Sequence, residues 1–452
     1  MPTRGPRPIA FAGALLLFVG CVFDGFGLGT ESEPAPGSSS DESTSTGDAI
    51  DPSTLTPTST GPGEETGDPG TTTGAACVEG CPPSPGWTVI GEPGEGVGHA
   101  LAVDALGDVV VAGDRIHAMD ATRHNVWLGK FDGDDGALIW EDGHNGEPKG
   151  DDYGRGVVID ADGQIVVAGA SQATDAGKLD VWVGWWSGDG VLLETSDLGT
   201  SSWDDGPEGA DERALALTLG GDGSLMLAGS RCQRPCEAPG AWVGRFTPDG
   251  QMLWPQAMVA VGSGSVRGLA ALGEELMAVG TDGFAEAPSP WRSRVRRLDV
   301  NGGGMWSALP ESGQDDNSYE ARAAAVDGSG LVWVVGRVFT EQQTAGWIRV
   351  YDPAGDVMPL AEAEAPAGAA MTIAVPPGGG APLIGGSTGA RLWFAQFDPM
   401  LGEVWRVEEE GPLTARGIAF DGSGDTVVLG AYPESRVDGE RLWLRKYTAY
   451  AP

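Results

Sequence analysis

The chain is 452 residues long, carries a formal net charge of −38, and contains 74 glycines. So acidic a surface repels nucleic acid and anionic headgroups, which argues against both as partners and leaves divalent cations and basic partners open. Frequent Gly, 32 Pro and an ordinary 40% apolar content predict many short strands joined by tight turns, in one large β domain or several smaller ones.

In chain order, the first feature is an export signal over residues 1–20. Arg4 and Arg7 form a charged lead, and Ile9 to Gly20 is an apolar run too short to span a bilayer comfortably. It ends in Leu17-Phe18-Val19-Gly20-Cys21, which resembles a bacterial lipobox with Cys21 as the lipidated residue; Phe18 departs from the usual Leu. An ordinary secretory signal cleaved elsewhere is the competing reading. The resemblance implies a palmitate-bearing lipoprotein, and the absence of Asp at position 22 implies sorting to the outer membrane or cell surface. Each buried CH₂ contributes roughly 0.8 kcal/mol, so several acyl chains anchor stably where one does not. The membrane is then touched only through the lipid.

Residues 21–76 continue from that Cys into a tether, which from Asp24 to Ala76 has no Lys or Arg and is built of Ser, Thr, Gly, Pro, Asp and Glu. Such a segment cannot bury enough apolar surface to offset its ordering entropy and is expected to be disordered. About fifty such residues reach roughly 40 Å. Residues 77–85 are a short lead-in that carries CVEGC. Beyond Cys21 there are four cysteines: Cys77 and Cys81 there, Cys232 and Cys236 in CQRPC. In an exported chain an even number suggests disulfides, most simply one within each pair. Zinc is the alternative, but C-x₃-C spacing is atypical and all four His precede position 145.

From residue 86 to 452 a repeat takes over. GRGVVIDADGQIVVAG (Gly154–Gly169) is one of seven copies, with closing glycines at Gly113, Gly169, Gly229, Gly280, Gly336, Gly386 and Gly430, 44 to 60 apart by subtraction. Six copies have another Gly six residues earlier: Gly107, Gly163, Gly223, Gly330, Gly380 and Gly424. Each copy runs on into a third strand that carries Trp127, Trp182, Trp242, Trp347, Trp393 or Trp443, with Arg294 in the fourth copy. Most then show a turn and a fourth strand, as in DGDDGALIW (Asp132–Trp140). Four strands per unit at this period predict an all-β, seven-bladed propeller. Continuous apolar runs such as VVVAG fit strands buried on both faces. The recurrent Trp is expected to pack between blades, where an indole buries roughly 150–250 Å². The last copy stops after its third strand, and an unpaired strand around Trp87 is expected to complete it and remove the exposed edge.

The stretch GDDYGRGVVIDADGQIVVAG resembles the SBBP and delta-60 type propeller repeats of exported bacterial proteins. The G-x-x-x-W turns, as in FDGDDGALIW, also resemble the tryptophan-docking repeats of quinoprotein-like propellers. The resemblance spans about Trp87 to the C-terminus and implies a surface or periplasmic binding role at most, because propellers host many functions.

Candidate chemistry gathers where each innermost strand opens: His99, Arg155, Arg213, Arg267, Arg322, Met371 and Arg416. The functional reading is a cationic collar at one channel mouth that takes an anionic ligand. The structural reading pairs each Arg with a nearby carboxylate such as Asp151, Asp152, Asp211, Glu212 or Glu320. Asp151-Asp152, Asp204-Asp205 and Asp315-Asp316 precede three of these strands. Oxygen-rich loops of that kind can hold Ca²⁺, though salt-bridged turns need no ion and no metal site is assigned. Gly385–Gly389 formally reads G-x-S-x-G, yet no His follows His144, so the chain order of that hydrolase fold is impossible. No catalytic residue is assigned. The sequence is thus read as a monomeric cell-envelope lipoprotein, a non-enzymatic binding or scaffolding propeller for an envelope protein or polysaccharide. The alternative is an exported enzyme, a polysaccharide-active hydrolase or lyase or an oxidoreductase, working at the same mouth.

Overall fold

The computed structural model describes residues 81–449, apart from 92–95, 118–119, 147–149, 173–177, 199–209, 234–238, 255–258, 283–290, 309–316, 355–357, 412 and 433–439. The export signal, Cys21, the tether, Cys77, Cys236, Asp204-Asp205 and Asp315-Asp316 lie outside these residues. Cys81 and Cys232 are each disulfide-bonded.

The described chain forms seven four-stranded antiparallel sheets. Blades 1 to 7 begin with Val97–Val103, Asp152–Ile159, Ala210–Leu219, Ser265–Leu272, Ser318–Val326, Ala369–Ala374 and Thr414–Phe420. These first strands touch one another in succession, and the contact between blades 7 and 1 closes the circle. The protein is a seven-bladed β-propeller. Blade 7 supplies three strands of its own and takes Ser84–Ile90 as the fourth, with Val89 opposite Leu444 and Ile90 opposite Trp443. The strand around Trp87 therefore does what its position in the sequence predicts.

Local chemistry sets the hairpins. In blade 2 the Asp160 carboxylate accepts the amides of Asp162 and Gln164 at 2.9 and 2.8 Å, and Gly163 turns the chain at φ 80°. The sixth copy differs from the expected spacing, because Gly378 and Gly379 hold the positive φ there and Gly380 does not. The first three strands of a blade are largely buried, whereas fourth strands such as Leu138–His144 alternate between exposed and half-buried. Solvent faces only that outer edge, which is why the inner runs are apolar throughout.

The core is divided into seven wedges, each between two adjacent blades. The recurrent third-strand Trp fills six of them: Trp182, for example, packs with Ala100, Val110 and Leu128 of blade 1. A second set of indoles ties five of the seven blades to the turn of the next. Nε1 of Trp87, Trp140, Trp254 and Trp306 donates to the carbonyls of Gly133, Gly188, Val300 and Pro353 at 2.7–3.1 Å. Blade 2 has no Trp in its fourth strand, and Trp185 at the end of its third donates to Pro248 O at 2.8 Å instead.

The closing glycine of each copy has a mechanical cause. Every first strand carries a β-bulge, and the carbonyl two residues before the bulge residue is the one nearest the closing glycine of the second strand. A Cβ on Gly113, Gly169, Gly229, Gly280, Gly336 or Gly386 would run into the carbonyl oxygen of Val97, Tyr153, Arg213, Ser265, Glu320 or Ala369. Blade 7 is looser, with Thr414 O at 3.2 Å from a Cβ placed on Gly430.

Candidate functional site at the channel mouth

The bulges decide which residues form the collar. The extra residue is His99, Arg155, Arg267, Arg322, Met371 and Arg416 in blades 1, 2, 4, 5, 6 and 7. In blade 3 it is Leu215, not Arg213. Arg213 lies two residues earlier, pairs across the ladder with Ser230 and is exposed. Arg213 sits two positions too early: Arg155, Arg322 and Arg416 each stand 14 residues before their closing glycine by subtraction, and in this copy that position is Leu215. The collar therefore holds four arginines, one histidine and two apolar residues.

Blades 7, 1 and 2 share one ionic group. Asp114, just after the closing glycine of blade 1, is buried between three cationic or imidazole side chains. His99 Nε2 lies 2.6 Å from its Oδ1, Arg155 Nη2 lies 3.5 Å from that same oxygen, and His124 Nδ1 lies 2.9 Å from Oδ2. Burial opposes the charge on Asp114, but His99, Arg155 and the His124 hydrogen bond outweigh it and hold the carboxyl well below its ordinary value. Arg416 Nη1 donates to His99 Nδ1 at 2.5 Å. A guanidinium has no acceptor, so Nδ1 is the bare nitrogen and His99 is neutral. Burial, with Arg155 and Arg416 nearby, pushes His99 down to about 3. His124 is raised by its bond to Asp114, and its ring stands 5.3 Å from that of Tyr153. Arg155 sits over the Tyr153 ring at 5.0 Å.

The other collar arginines divide. Arg322 is fully buried with Nε 3.2 Å from Glu320, which Arg337 also holds at 2.9 Å. Arg416 pairs with Glu440 at 2.5 Å. Arg267 is half-buried, and its Nε and Nη1 are buried without an acceptor, with Glu320 as the neighbouring charge.

The paired acids serve the frame. Asp151 Oδ1 accepts the His124 amide at 3.0 Å, and Asp211 in the next copy accepts the Leu179 amide at the same distance. Each clips the start of its own blade to the preceding one. Asp152 is fully buried; Ser171 Oγ donates to one oxygen at 2.5 Å and the Gly146 amide to the other at 2.9 Å. Burial pushes its pKa up. Glu212 occupies the equivalent ladder position opposite Arg231, whereas Glu320 lies one residue nearer the bulge, opposite Arg337. Neither Asp151 nor Asp152 pairs with Arg155, whose partner is Asp114. Ser387 of the G-x-S-x-G match accepts the Ala415 amide at 2.8 Å, another clip between blades.

Blade 1 also opens a cavity of about 340 Å³ along its second, third and fourth strands. Arg115, Asn125, Glu141, Asp142, His144 and Asn145 line it, with Trp127 at its wall. Arg115 and Glu141 pair at 2.5 Å, Asp142 accepts Trp186 Nε1 at 2.8 Å, and His144 stacks on Trp182 at 4.8 Å. Sequence reasoning missed this pocket, Asp114 and Glu440 because, Trp127 apart, their charged and polar residues do not recur from copy to copy: the position of Asp114, for example, is Ala170, Ser230, Thr281, Arg337, Ser387 or Ala431 elsewhere.

No protein-family model matches the chain, and no curated protein does. Among solved structures it is similar to a chain of a mitotic checkpoint complex (12% identity, TM-score 0.48, covering 86% of this chain and 98% of that one). It is also similar to the Dos1 propeller (12%, 0.48, 82% and 96%) and to the polysaccharide lyase Uly1 (12%, 0.45, 78% and 90%). Likeness of this degree carries no argument about ligand or chemistry; the propeller assignment rests on the strand pairing itself.

Proposed function

We propose that this chain is an exported, lipid-anchored propeller of the cell envelope that binds or scaffolds and does no chemistry of its own. The carrying observation is the state of the collar. Arg155, Arg322 and Arg416 are engaged by Asp114, Glu320 and Glu440, so they act as struts. What they brace is a rigid polar mouth with an open pocket in blade 1. Its side chains suit a polysaccharide or a polar protein loop, and the lipobox-like Leu17–Cys21 with the Lys- and Arg-free segment behind it supports reading the chain as a monomer presented at the outer membrane or cell surface.

Two experiments test the reading. Palmitate incorporation in a bacterial host is expected to vanish in Cys21→Ser, and labelling that persists removes the anchor. Glycan arrays and envelope pull-downs with the full chain are expected to give a partner whose affinity falls at least about tenfold in Asn125→Trp, with the melting temperature unchanged. A partner indifferent to that variant displaces the site from blade 1.

One observation favours a second reading, an exported hydrolase, lyase or oxidoreductase at the same mouth. Asp114 and His124 form an acid–imidazole pair, with the ring of His124 beside Tyr153. Such a pair can move a proton. Turnover of any envelope polysaccharide that is abolished in His124→Gln, with binding retained, selects the enzyme.

A further inference from the structure

Blade 4 breaks the pattern of the wedges. Where six copies place a Trp, it places Arg294, and a small gap remains between blades 3 and 4, in which the centre of a water-sized sphere can move through about 10 Å³. Ala241 and Val261 of blade 3 and Ser265, Thr281, Arg294 and Arg296 of blade 4 line it. Arg294 pairs with Asp282, and its Nη1 donates to Ser307 Oγ at 2.8 Å. Arg296 makes no ion pair and no hydrogen bond among the described residues. Nε of both arginines is buried without an acceptor.

Arg294 thus has Asp282 as its counter-charge and Arg296 has none among the described residues, at a place of partial burial. Burial lowers the pKa of both, and that of Arg294 falls to about 10 with Arg296 adding to the shift. The surrounding chain is strongly acidic, so an uncompensated cation here is not for want of carboxylates. A water in the gap would accept two hydrogen bonds but leave the excess charge standing. A monatomic anion answers both. An oxyanion or an organic carboxylate is larger than the gap.

We infer that this gap is a chloride site, with the ion held by the Nε–H groups of Arg294 and Arg296 and by the hydroxyl of Ser265 or Thr281. It takes the place of the missing indole and locks blade 3 to blade 4. The inference is independent of what the mouth binds.

The test is thermal unfolding of the full chain at constant ionic strength, with sodium chloride exchanged for sodium gluconate, whose anion does not fit. Above its dissociation constant, each tenfold rise in chloride is expected to raise the melting temperature by about 2 °C. Bromide should do the same. Arg296→Met is expected to flatten the response. Arg294→Trp restores the residue of the other blades, and should flatten it while leaving the chain at least as stable without halide. A response equal in wild type and both variants overturns the site. So does a wild type indifferent to chloride, the result for a gap that holds water. If Arg296→Met fails to fold, Arg294→Trp and bromide-soaked crystals decide: an anomalous peak between blades 3 and 4 supports the site, and a map without one refutes it.

Discussion

Blades 1 and 4 are copies of one unit with the same strand order, the same bulge and the same closing glycine, yet they settle their charges differently. In blade 1 the bulge residue His99 bonds to both Asp114 and Arg416, Asp114 answers Arg155 and His124, and Trp127 fills the wedge against blade 7. In blade 4 the bulge residue Arg267 leaves Nε and Nη1 without an acceptor, and Arg294 stands where the indole would be. The frame is therefore indifferent to what sits on it. Bulge, wedge and glycine contact are backbone and apolar matters, repeated because the geometry repeats. Charge is arranged blade by blade, and a departure from the repeat marks a local task.

The strongest way to break the comparison is to open the ring. Deleting residues 1–91 removes the fourth strand of blade 7 together with the packing of Trp87 and Val89 against blade 1. The expected loss is at least about 5 kcal/mol, from the ladder and two part-buried apolar side chains. Urea unfolding measures it, and an unchanged midpoint would mean that blade 1 keeps its order without closure. Next in size is the wedge. Trp127→Ala is expected to cost about 4 kcal/mol, whereas Arg294→Ala should cost under about 1.5 kcal/mol, because one leaves a cavity and the other only enlarges a gap already there. Equal losses would mean that Arg294 packs as an indole does.

The frame was legible in the sequence and the charges were not. Gly113 and its equivalents could be counted because a Cβ there meets backbone, which no neighbouring side chain can relieve. The third-strand Trp could be read for a similar reason, since each wedge has the same shape. Arg155 could be flagged, but its partner Asp114 lies in the second strand of the preceding blade, a separate sheet, and nothing in sequence spacing pairs them. Glu440 is 24 residues from Arg416 and is equally invisible. The third copy is a miss of another kind: taking the arginine selects Arg213, whereas the 14-residue interval to the closing glycine, by subtraction as from Arg155 to Gly169, selects Leu215, which holds the bulge.

Proton binding sharpens the contrast further, because blade 1 holds a buried imidazole and blade 4 holds none. His99 titrates near 3 in the folded chain against an ordinary 6.5. Below 6.5 the unfolded chain takes a proton that the folded chain refuses, so stability falls as the pH drops toward the folded value. At pH 5 the loss is on the order of 2 kcal/mol, and His99→Gln should remove most of that slope. An acid limb of the same steepness in the variant would mean that Asp114 and the other carboxylates carry it alone.

The smallest expected effect discriminates most sharply between a strut and a surface. If all the collar arginines were equivalent, Arg213→Ala would cost as much as removing Arg155. Arg213 is exposed and its neighbour Leu215 holds the bulge, so the substitution should change stability by no more than about 0.5 kcal/mol. Arg155→Met, in contrast, leaves Asp114 buried beside a neutral His99 and should cost about 3 kcal/mol. Arg213 still stands close enough to Tyr153 and Arg155 to influence both charges. A ligand at the mouth would therefore meet it first: loss of binding in Arg213→Ala with stability intact places the ligand over blades 2 and 3, and unchanged binding keeps it over blade 1.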